Sequence, residues 1–165
     1  MLSIPSRRVK ERWRTLKISV IHGPNLNRLG QRKKEHYGVL TLAKINNSLE
    51  KKASKMNIQL EIMQSNHEGE IIDFIQMVSE KTDGIIINPG AFTHYSYAIR
   101  DALEDCLIPI IEVHLSNIFA REEFRSRSVT AQACAGQITG LGYQGYLLAI
   151  EGLQSLIKEQ KSKKT

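Results

Sequence analysis

Cysteines and long apolar runs are scarce in this 165-residue chain, and each scarcity excludes a class of protein. The two cysteines, Cys106 and Cys134, are far apart and form no CxxC pair, which argues against a zinc site or a disulfide framework and favours reduced thiols in a cytosolic protein. No segment approaches the roughly 20 apolar residues that a membrane span needs. The sequence therefore predicts a soluble protein with one ordinary domain and its own core.

Catalytic motifs are missing as well. The chain has no phosphate loop of the form GxxxxGK[ST], no HExxH pair of metal ligands and no GxSxG nucleophile elbow. We therefore expect no dinucleotide site, no triphosphate site and no metal. The tyrosine, histidine, asparagine, serine and arginine side chains that remain suit proton transfer on a small, anionic, hydroxylated molecule.

Positive charge is concentrated at the two ends of the chain. The formal net charge is +6, but residues 1–17 hold six Lys and Arg against one Glu, and residues 154–165 hold four Lys against one Glu. The body between them is slightly negative. Basic ends can bind nucleic acid nonspecifically, but such ends are more often merely solvated. We predict a flexible basic extension at 1–17, a domain at 18–153 and a basic tail at 154–165, with no nucleic-acid or membrane partner.

Residues 1–17 also resemble an organelle transit peptide in composition, since they are rich in Arg and contain Ser3 and Ser6. A plain extension or an upstream start codon is the simpler interpretation. The predicted location is cytoplasmic.

Apolar runs alternate with helical periodicity along the body of the chain. Strands are predicted at 16–21, 58–63, 84–87 and 108–115, with a short fifth strand within 133–140. Helices are predicted from a Thr41 cap to about residue 56, after a Ser65-Asn66 cap to about 78, at 95–107 and at 143–158. Such alternation indicates an α/β fold with a doubly wound parallel sheet of five strands and helices on both faces.

Polar side chains follow several of these strands. Asn25 comes after the first, Ser65 and Asn66 after the second, and Asn88 after the third. Ligands in such sheets bind outside the carboxyl ends of the strands. The sequence therefore predicts a site at that edge.

Residues 22–38 form a predicted loop with several cations, including Arg28 and Arg32, and one tyrosine, Tyr37. Such a loop can close over an anion. A solvated basic connector explains the residues of this segment as well, and the segment alone does not separate the two interpretations.

Glu112 and His114 interrupt an apolar strand at a spacing that points both side chains to the same side. A carboxylate beside an imidazole orients the ring and raises its pKa, which suits a general acid near neutral pH. A structural ion pair is the alternative, and both remain open from the spacing alone.

Five motifs in order along the chain carry a resemblance. They are HGPNLNRLG at 22–30 followed by Tyr37-Gly38, QSNHEGE at 64–70, INPGAFTH at 87–94, IRDAL at 99–103 and EVHLSNIFAREEFR at 112–125. Together they resemble the type II 3-dehydroquinate dehydratases over about residues 18–153. The resemblance implies a flavodoxin-like fold, a hydro-lyase of the shikimate pathway, no cofactor or metal, and a homododecamer built as a tetramer of trimers.

The resemblance also implies roles in an anti elimination of water from 3-dehydroquinate. Tyr37 would be the base that removes the proton alpha to the ketone, with Arg32 favouring the tyrosinate. Asn25 would stabilise the enolate through an ordered water. His114 would protonate the departing hydroxyl while Glu112 orients it.

Binding roles are implied in the same way. The backbone amides of Leu115 and Ser116, with Asn88, would hold the substrate carboxylate. His94 and Arg125 would bond the ring hydroxyls as hydrogen-bond donors. Asp101 would reach a neighbouring subunit's site, although by itself an Asp on a helix face is merely solvated.

The sequence departs from the usual family pattern at Lys33, Lys34, Phe119 and residues 127–130, and these departures leave all of the positions above intact. Two other classes of function are alternatives to the enzyme. A flavodoxin-like binding module would tolerate loss of Tyr37, Arg32 or His114, and all three are present. A nucleic-acid binder would act through the basic ends.

Overall fold

The structure, a computed structural model, describes residues 14–31 and 40–163. Its sheet is entirely parallel and has the order β2-β1-β3-β4-β5. The strands are β1 Leu16–His22, β2 Ile58–Gln64, β3 Gly84–Asn88, β4 Ile110–His114 and β5 Gly136–Thr139. This is the flavodoxin-like order, so the predicted fold class is confirmed.

Four helices in the described residues cover the two faces of the sheet. They are α1 Leu42–Lys55, α2 Glu68–Ser79, α3 Tyr97–Glu104 and α4 Gln144–Lys163. Helices α1 and α4 bury one core together with alternate sheet residues such as Val20 and Ile86. Helices α2 and α3 bury the other, around Ile21 and Ile87. Strands buried on both faces explain why the sequence shows continuous apolar runs rather than alternation.

Two helix starts differ from their predictions, and only the second of them has a side-chain cap. Helix α2 begins after His67 instead of Ser65 or Asn66. The Ser65 hydroxyl accepts from the His67 N–H at 2.9 Å and donates to Glu70 at 2.5 Å, so Ser65 closes the turn before the helix. Helix α3 starts two residues later than predicted because the Ser96 hydroxyl caps the N–H of Ile99 at 3.0 Å.

The ends of α3, β4 and α4 differ too. Helix α3 stops at Glu104, three residues before the predicted end, and β4 is limited to Ile110–His114. Helix α4 runs five residues past its predicted end, to Lys163. The Thr41 cap of α1 is confirmed, since its hydroxyl accepts from the Lys44 N–H at 3.3 Å. Among the described residues, no helix has the length and apolar character that crossing a membrane requires.

The topology of the sheet decides where a ligand can bind. From β1 the chain crosses to β2 on one side and then returns to β3 on the other side of β1. The loops that follow β1 and β3 therefore diverge and leave a crevice above the carboxyl ends of these strands. His22 at the end of β1 pairs with Asn88 at the end of β3, which sets the floor of this crevice.

Candidate active site

A cleft of about 190 Å³ lies at this switch point. Its walls come from the segments after β1, β3 and β4. The lining residues are Pro24, Asn25, Leu26, Asn88, Gly90, Ala91, His94, His114, Leu115, Ser116, Ile118, Arg121 and Arg125. Residues separated by up to a hundred positions in the sequence thus meet at one sheet edge.

Seven of the predicted site residues line the cleft, namely Asn25, Asn88, His94, His114, Leu115, Ser116 and Arg125. Glu112 is fully buried behind His114. Asp101 lies on the exposed face of α3 and is not among the lining residues. Arg32 and Tyr37, together with Lys33 and Lys34, lie outside the described residues.

Glu112 and His114 are in direct contact. The Glu112 Oε1 atom is 2.7 Å from His114 Nε2, and both side chains are buried. They share a face of β4 with Ile110, which belongs to the core under α2 and α3. Because the carboxylate can only accept, Nε2 carries the hydrogen and Nδ1 is the ring nitrogen left to serve the cleft. Nδ1 makes no hydrogen bond to another described residue.

Three further donors surround the Glu112 carboxylate. Thr130 donates to Oε2 at 2.5 Å, while Ser128 at 3.0 Å and the Gln137 amide at 2.8 Å donate to Oε1. Burial alone would raise the pKa of Glu112, but the His114, Thr130 and Gln137 hydrogen bonds and the His114 charge hold this pKa below its usual value. The carboxylate therefore remains ionised behind the imidazole and keeps its tautomer and orientation fixed.

Asn25 sits in a conformation that few residues adopt. Its φ of 66° and ψ of 0° place it in the left-handed region, where asparagine is tolerated. The Asn66 side chain accepts from its backbone N–H at 2.8 Å. Next to it, a Cβ on Gly23 would lie 2.6 Å from the Pro89 carbonyl, so only glycine lets the two loops approach. These contacts fix Asn25 at the rim of the cleft.

The tautomer of His94 follows from its backbone contact. Its Nδ1 lies 2.8 Å from the Arg127 carbonyl oxygen, which can only accept, so Nδ1 carries the hydrogen. Partial burial lowers the pKa of His94, and the Arg127 hydrogen bond opposes this shift only in part. Neutral His94 therefore offers Nε2 as an acceptor, whereas we expected from the sequence that it would donate.

Two guanidinium groups form the cationic wall of the cleft. Arg125 donates to Glu122 at 2.9 Å and stacks 4.7 Å from the centre of the Phe124 ring. Arg121 donates to the Ser116 hydroxyl at 3.2 Å, and its side chain is only 9% exposed. Sequence reasoning assigned Arg121 no role. Its place within the motif at 112–125 was the available signal.

The role of one glycine-rich segment, residues 140–145, follows from its contacts in the structure. Residues 140–145, GLGYQG, match GxGxxG between a strand and a helix, although we expected no dinucleotide site. The N–H groups of Gly140 and Gly142 donate to the carbonyls of His114 and Leu115, at 3.2 and 2.9 Å. They are thus engaged with the end of β4. No three His, Cys, Asp or Glu side chains within residues 14–31 and 40–163 are grouped as metal ligands.

The fold and site together define a flavodoxin-like α/β protein with an ionised carboxylate, an imidazole and two guanidinium groups at its switch-point cleft. Its sequence matches the model of the family Dehydroquinase class II over residues 16–154. The chain belongs to this family.

Several similar proteins carry names that agree with this family. The 3-dehydroquinate dehydratase of Halothermothrix orenii is 55% identical over 143 residues, covering 87% of this chain and 97% of the relative. That of Bacillus mycoides is 54% identical, with 87% and 98% covered. The crystal structure of type II dehydroquinase from Butyrivibrio crossotus superposes with a TM-score of 0.83 at 54% identity, covering 84% of this chain and 97% of that one.

Proposed function

We propose that the cleft dehydrates 3-dehydroquinate to 3-dehydroshikimate by an anti elimination through an enolate. Membership of the family makes the chain a type II 3-dehydroquinate dehydratase, a hydro-lyase of the shikimate pathway. The observation that best supports the mechanism is the contact between Glu112 and His114 at 2.7 Å, because it leaves one imidazole nitrogen to act in a cationic cleft.

The acid half of the reaction is assigned to His114. In its protonated form, Nδ1–H would transfer a proton to the hydroxyl that leaves, so that water departs instead of hydroxide. Ionised Glu112 stabilises the imidazolium before transfer and holds the ring in place afterwards. The carboxylate is buried and keeps four donors, so it is prevented from turning away.

The base half is assigned to Tyr37, which would take the proton alpha to the ketone. A phenol has a reference pKa of about 10, so cations must favour the tyrosinate at neutral pH. Arg32 is the proposed source of this charge. The guanidinium groups of Arg121 and Arg125 add to the positive potential of the cleft.

The enolate and the substrate carboxylate need donors. Asn25 at the rim of the cleft is proposed to stabilise the enolate through an ordered water. The backbone amides of Leu115 and Ser116, with Asn88, would hold the carboxylate. The Ser116 amide donates to no other described residue, which supports this role.

The ring hydroxyls would bond to His94 and Arg125. Neutral His94 would accept a hydrogen from one hydroxyl at Nε2, and Arg125 would donate to another. Both residues contact Phe124. The centre of its ring lies 5.7 Å from that of His94, and the Arg125 guanidinium lies 4.7 Å from it. A hydroxylated ring would therefore meet one acceptor and one donor on this wall.

We also propose a cytoplasmic homododecamer, a tetramer of trimers, in which Asp101 reaches the site of a neighbouring subunit. The exposed position of Asp101 on α3, outside its own cleft, supports this arrangement. Multi-angle light scattering of purified protein is expected to give the mass of twelve chains. A fully active monomer at micromolar concentration would exclude the assembly.

The activity itself is tested by the ultraviolet absorbance of the conjugated product. Wild-type protein with 3-dehydroquinate should give a steady rise that a chelator leaves unchanged. Tyr37→Phe should remove nearly all of it, because no base remains to form the enolate. Absence of a rise in folded wild-type protein would instead favour a non-catalytic binding module.

A further inference from the structure

Three consecutive carbonyl groups at the end of β4 accept hydrogen bonds from one short segment, residues 139–142, which runs from the end of β5 toward α4. The bonds run from the Gly140 N–H to the His114 carbonyl at 3.2 Å, from the Gly142 N–H to the Leu115 carbonyl at 2.9 Å and from the Thr139 hydroxyl to the Ser116 carbonyl at 2.9 Å. An extended strand would point consecutive carbonyls to alternate sides, so the backbone turns here. Residues 139–142 themselves do not line the cleft.

The direction of each carbonyl fixes the direction of the next amide, because in a trans peptide the C=O and N–H groups point in opposite directions. The His114 and Leu115 carbonyls both point to residues 140–142. The N–H groups of Leu115 and Ser116 therefore both point away from that segment, toward the side of β4 on which the cleft lies. Neither N–H donates to another described residue. Two adjacent amides that point the same way suit an anion.

Gly142 has a backbone conformation that most side chains avoid. Its φ of 57° lies in the left-handed region, and a Cβ at this position would meet no atom within 4 Å. The effect of a substitution there is therefore decided by backbone preference and not by space. Asparagine tolerates the left-handed region, whereas a β-branched residue does not. This difference lets mutation change the direction of the Gly142 N–H.

We propose that Gly142 is a positioning residue whose N–H holds the Leu115 carbonyl and thereby aims the Ser116 N–H at the carboxylate of the substrate. If the peptide between Leu115 and Ser116 turned over, its carbonyl oxygen would face the cleft and repel a carboxylate. The Gly140 bond acts in the same way on the Leu115 N–H, and the Thr139 bond keeps the next peptide from turning. This inference rests on the proposed function, in which the two amides bind the carboxylate of 3-dehydroquinate.

Steady-state kinetics of the full chain test the proposal by comparing Gly142→Val with Gly142→Asn. Valine should leave the left-handed conformation, so KM for 3-dehydroquinate should rise about tenfold or more, the size of one hydrogen bond to a charged group. We expect kcat to change by less than about threefold, because the carboxylate is bound alike before and during the reaction. Asparagine should keep KM within about threefold of wild type, because it tolerates the left-handed region.

Gly136→Val is the matched control for the valine variant. A Cβ on Gly136 also meets nothing within 4 Å, but Gly136 lies in β5 and its φ is outside the left-handed region. Its KM should therefore equal that of wild type. A rise in KM as large in Gly142→Asn or Gly136→Val as in Gly142→Val would overturn the proposal.

Two ligands that differ only at the carboxylate separate the aiming of an amide from general loosening of the fold. Quinate has the carboxylate and ring hydroxyls of the substrate but no ketone, and methyl quinate lacks the negative charge. In isothermal titration calorimetry, wild-type protein should prefer quinate, and Gly142→Val should reduce this preference about tenfold. Equal weakening for both ligands, or an unchanged preference, would contradict the positioning role.

Gly142→Ala decides the question if Gly142→Val does not fold, because alanine carries a smaller strain in the left-handed region. A lower preference for quinate in Gly142→Ala than in Gly142→Asn supports the proposal, and equal preferences overturn it. A folded wild type that neither binds quinate nor turns over 3-dehydroquinate would sink the proposed function. An active wild type whose preference survives these substitutions would sink only the role of Gly142.

Discussion

Replacement of His114 by alanine is expected to lower kcat for dehydration by about 10²- to 10⁴-fold, the usual contribution of a positioned general acid. Without the imidazole, hydroxide must leave unprotonated. The fold should survive, because Glu112 retains Ser128, Thr130 and Gln137 as donors. A steady-state assay of product absorbance at pH 7 measures the decrease in kcat.

His67→Ala is the matched control for this variant. His67 is exposed, precedes α2 and does not line the cleft, so its loss should leave kcat within about twofold of wild type. If His114→Ala retained more than a tenth of wild-type turnover with unchanged oligomeric state, the acid would have to be another group.

Glu112→Ala is expected to destabilise the protein by roughly 3–5 kcal/mol, the cost of removing one partner from a buried charged network. It leaves the His114, Thr130 and Gln137 donors without an acceptor in a buried site, and it opens a cavity. Urea denaturation at pH 7 and fixed protein concentration measures the change in unfolding free energy. Thermal unfolding should show a lower Tm.

Two companion variants interpret that result. Glu112→Gln keeps the volume and one acceptor oxygen, so it should cost less stability than Glu112→Ala, yet still lower kcat because its amide group faces the donors. Glu159→Ala removes an exposed helical carboxylate and should change stability by no more than about 0.5 kcal/mol. Equal stability of Glu112→Ala and wild type would show that the network carries no folding energy.

The site shows where sequence reasoning was sufficient and where it stopped. Spacing placed Glu112 and His114 on one face of a strand, and the structure confirms their contact. The contact between His22 and Tyr146 could not be inferred, because they are 124 positions apart and meet only after β1 and α4 pack together. The donor or acceptor role of His94 likewise depended on a carbonyl, that of Arg127, which no sequence pattern identifies.

Helix ends were harder to predict than helix positions for a similar reason. The apolar period located all four described helices, since burial of one stripe requires it. Helix α2 starts after His67, whose side chain makes no capping bond, and α3 starts after Ser96, whose hydroxyl caps it. Several residues near the start of each helix could serve as its cap, so the local sequence does not identify the one at which the helix begins.

The sequence by itself determined the α/β class, the parallel sheet and the edge of the sheet at which the cleft lies, because periodicity and strand ends are local properties of the chain. Its motifs, through the family resemblance, supplied seven of the residues that line the cleft. Tertiary structure alone decided the donors around Glu112, the cationic wall that includes Arg121 and the buried contact between His22 and Tyr146. These features depend on contacts between segments that are remote in sequence. Because the contacts are buried, they set the pKa, the tautomer or the orientation of the side chains involved.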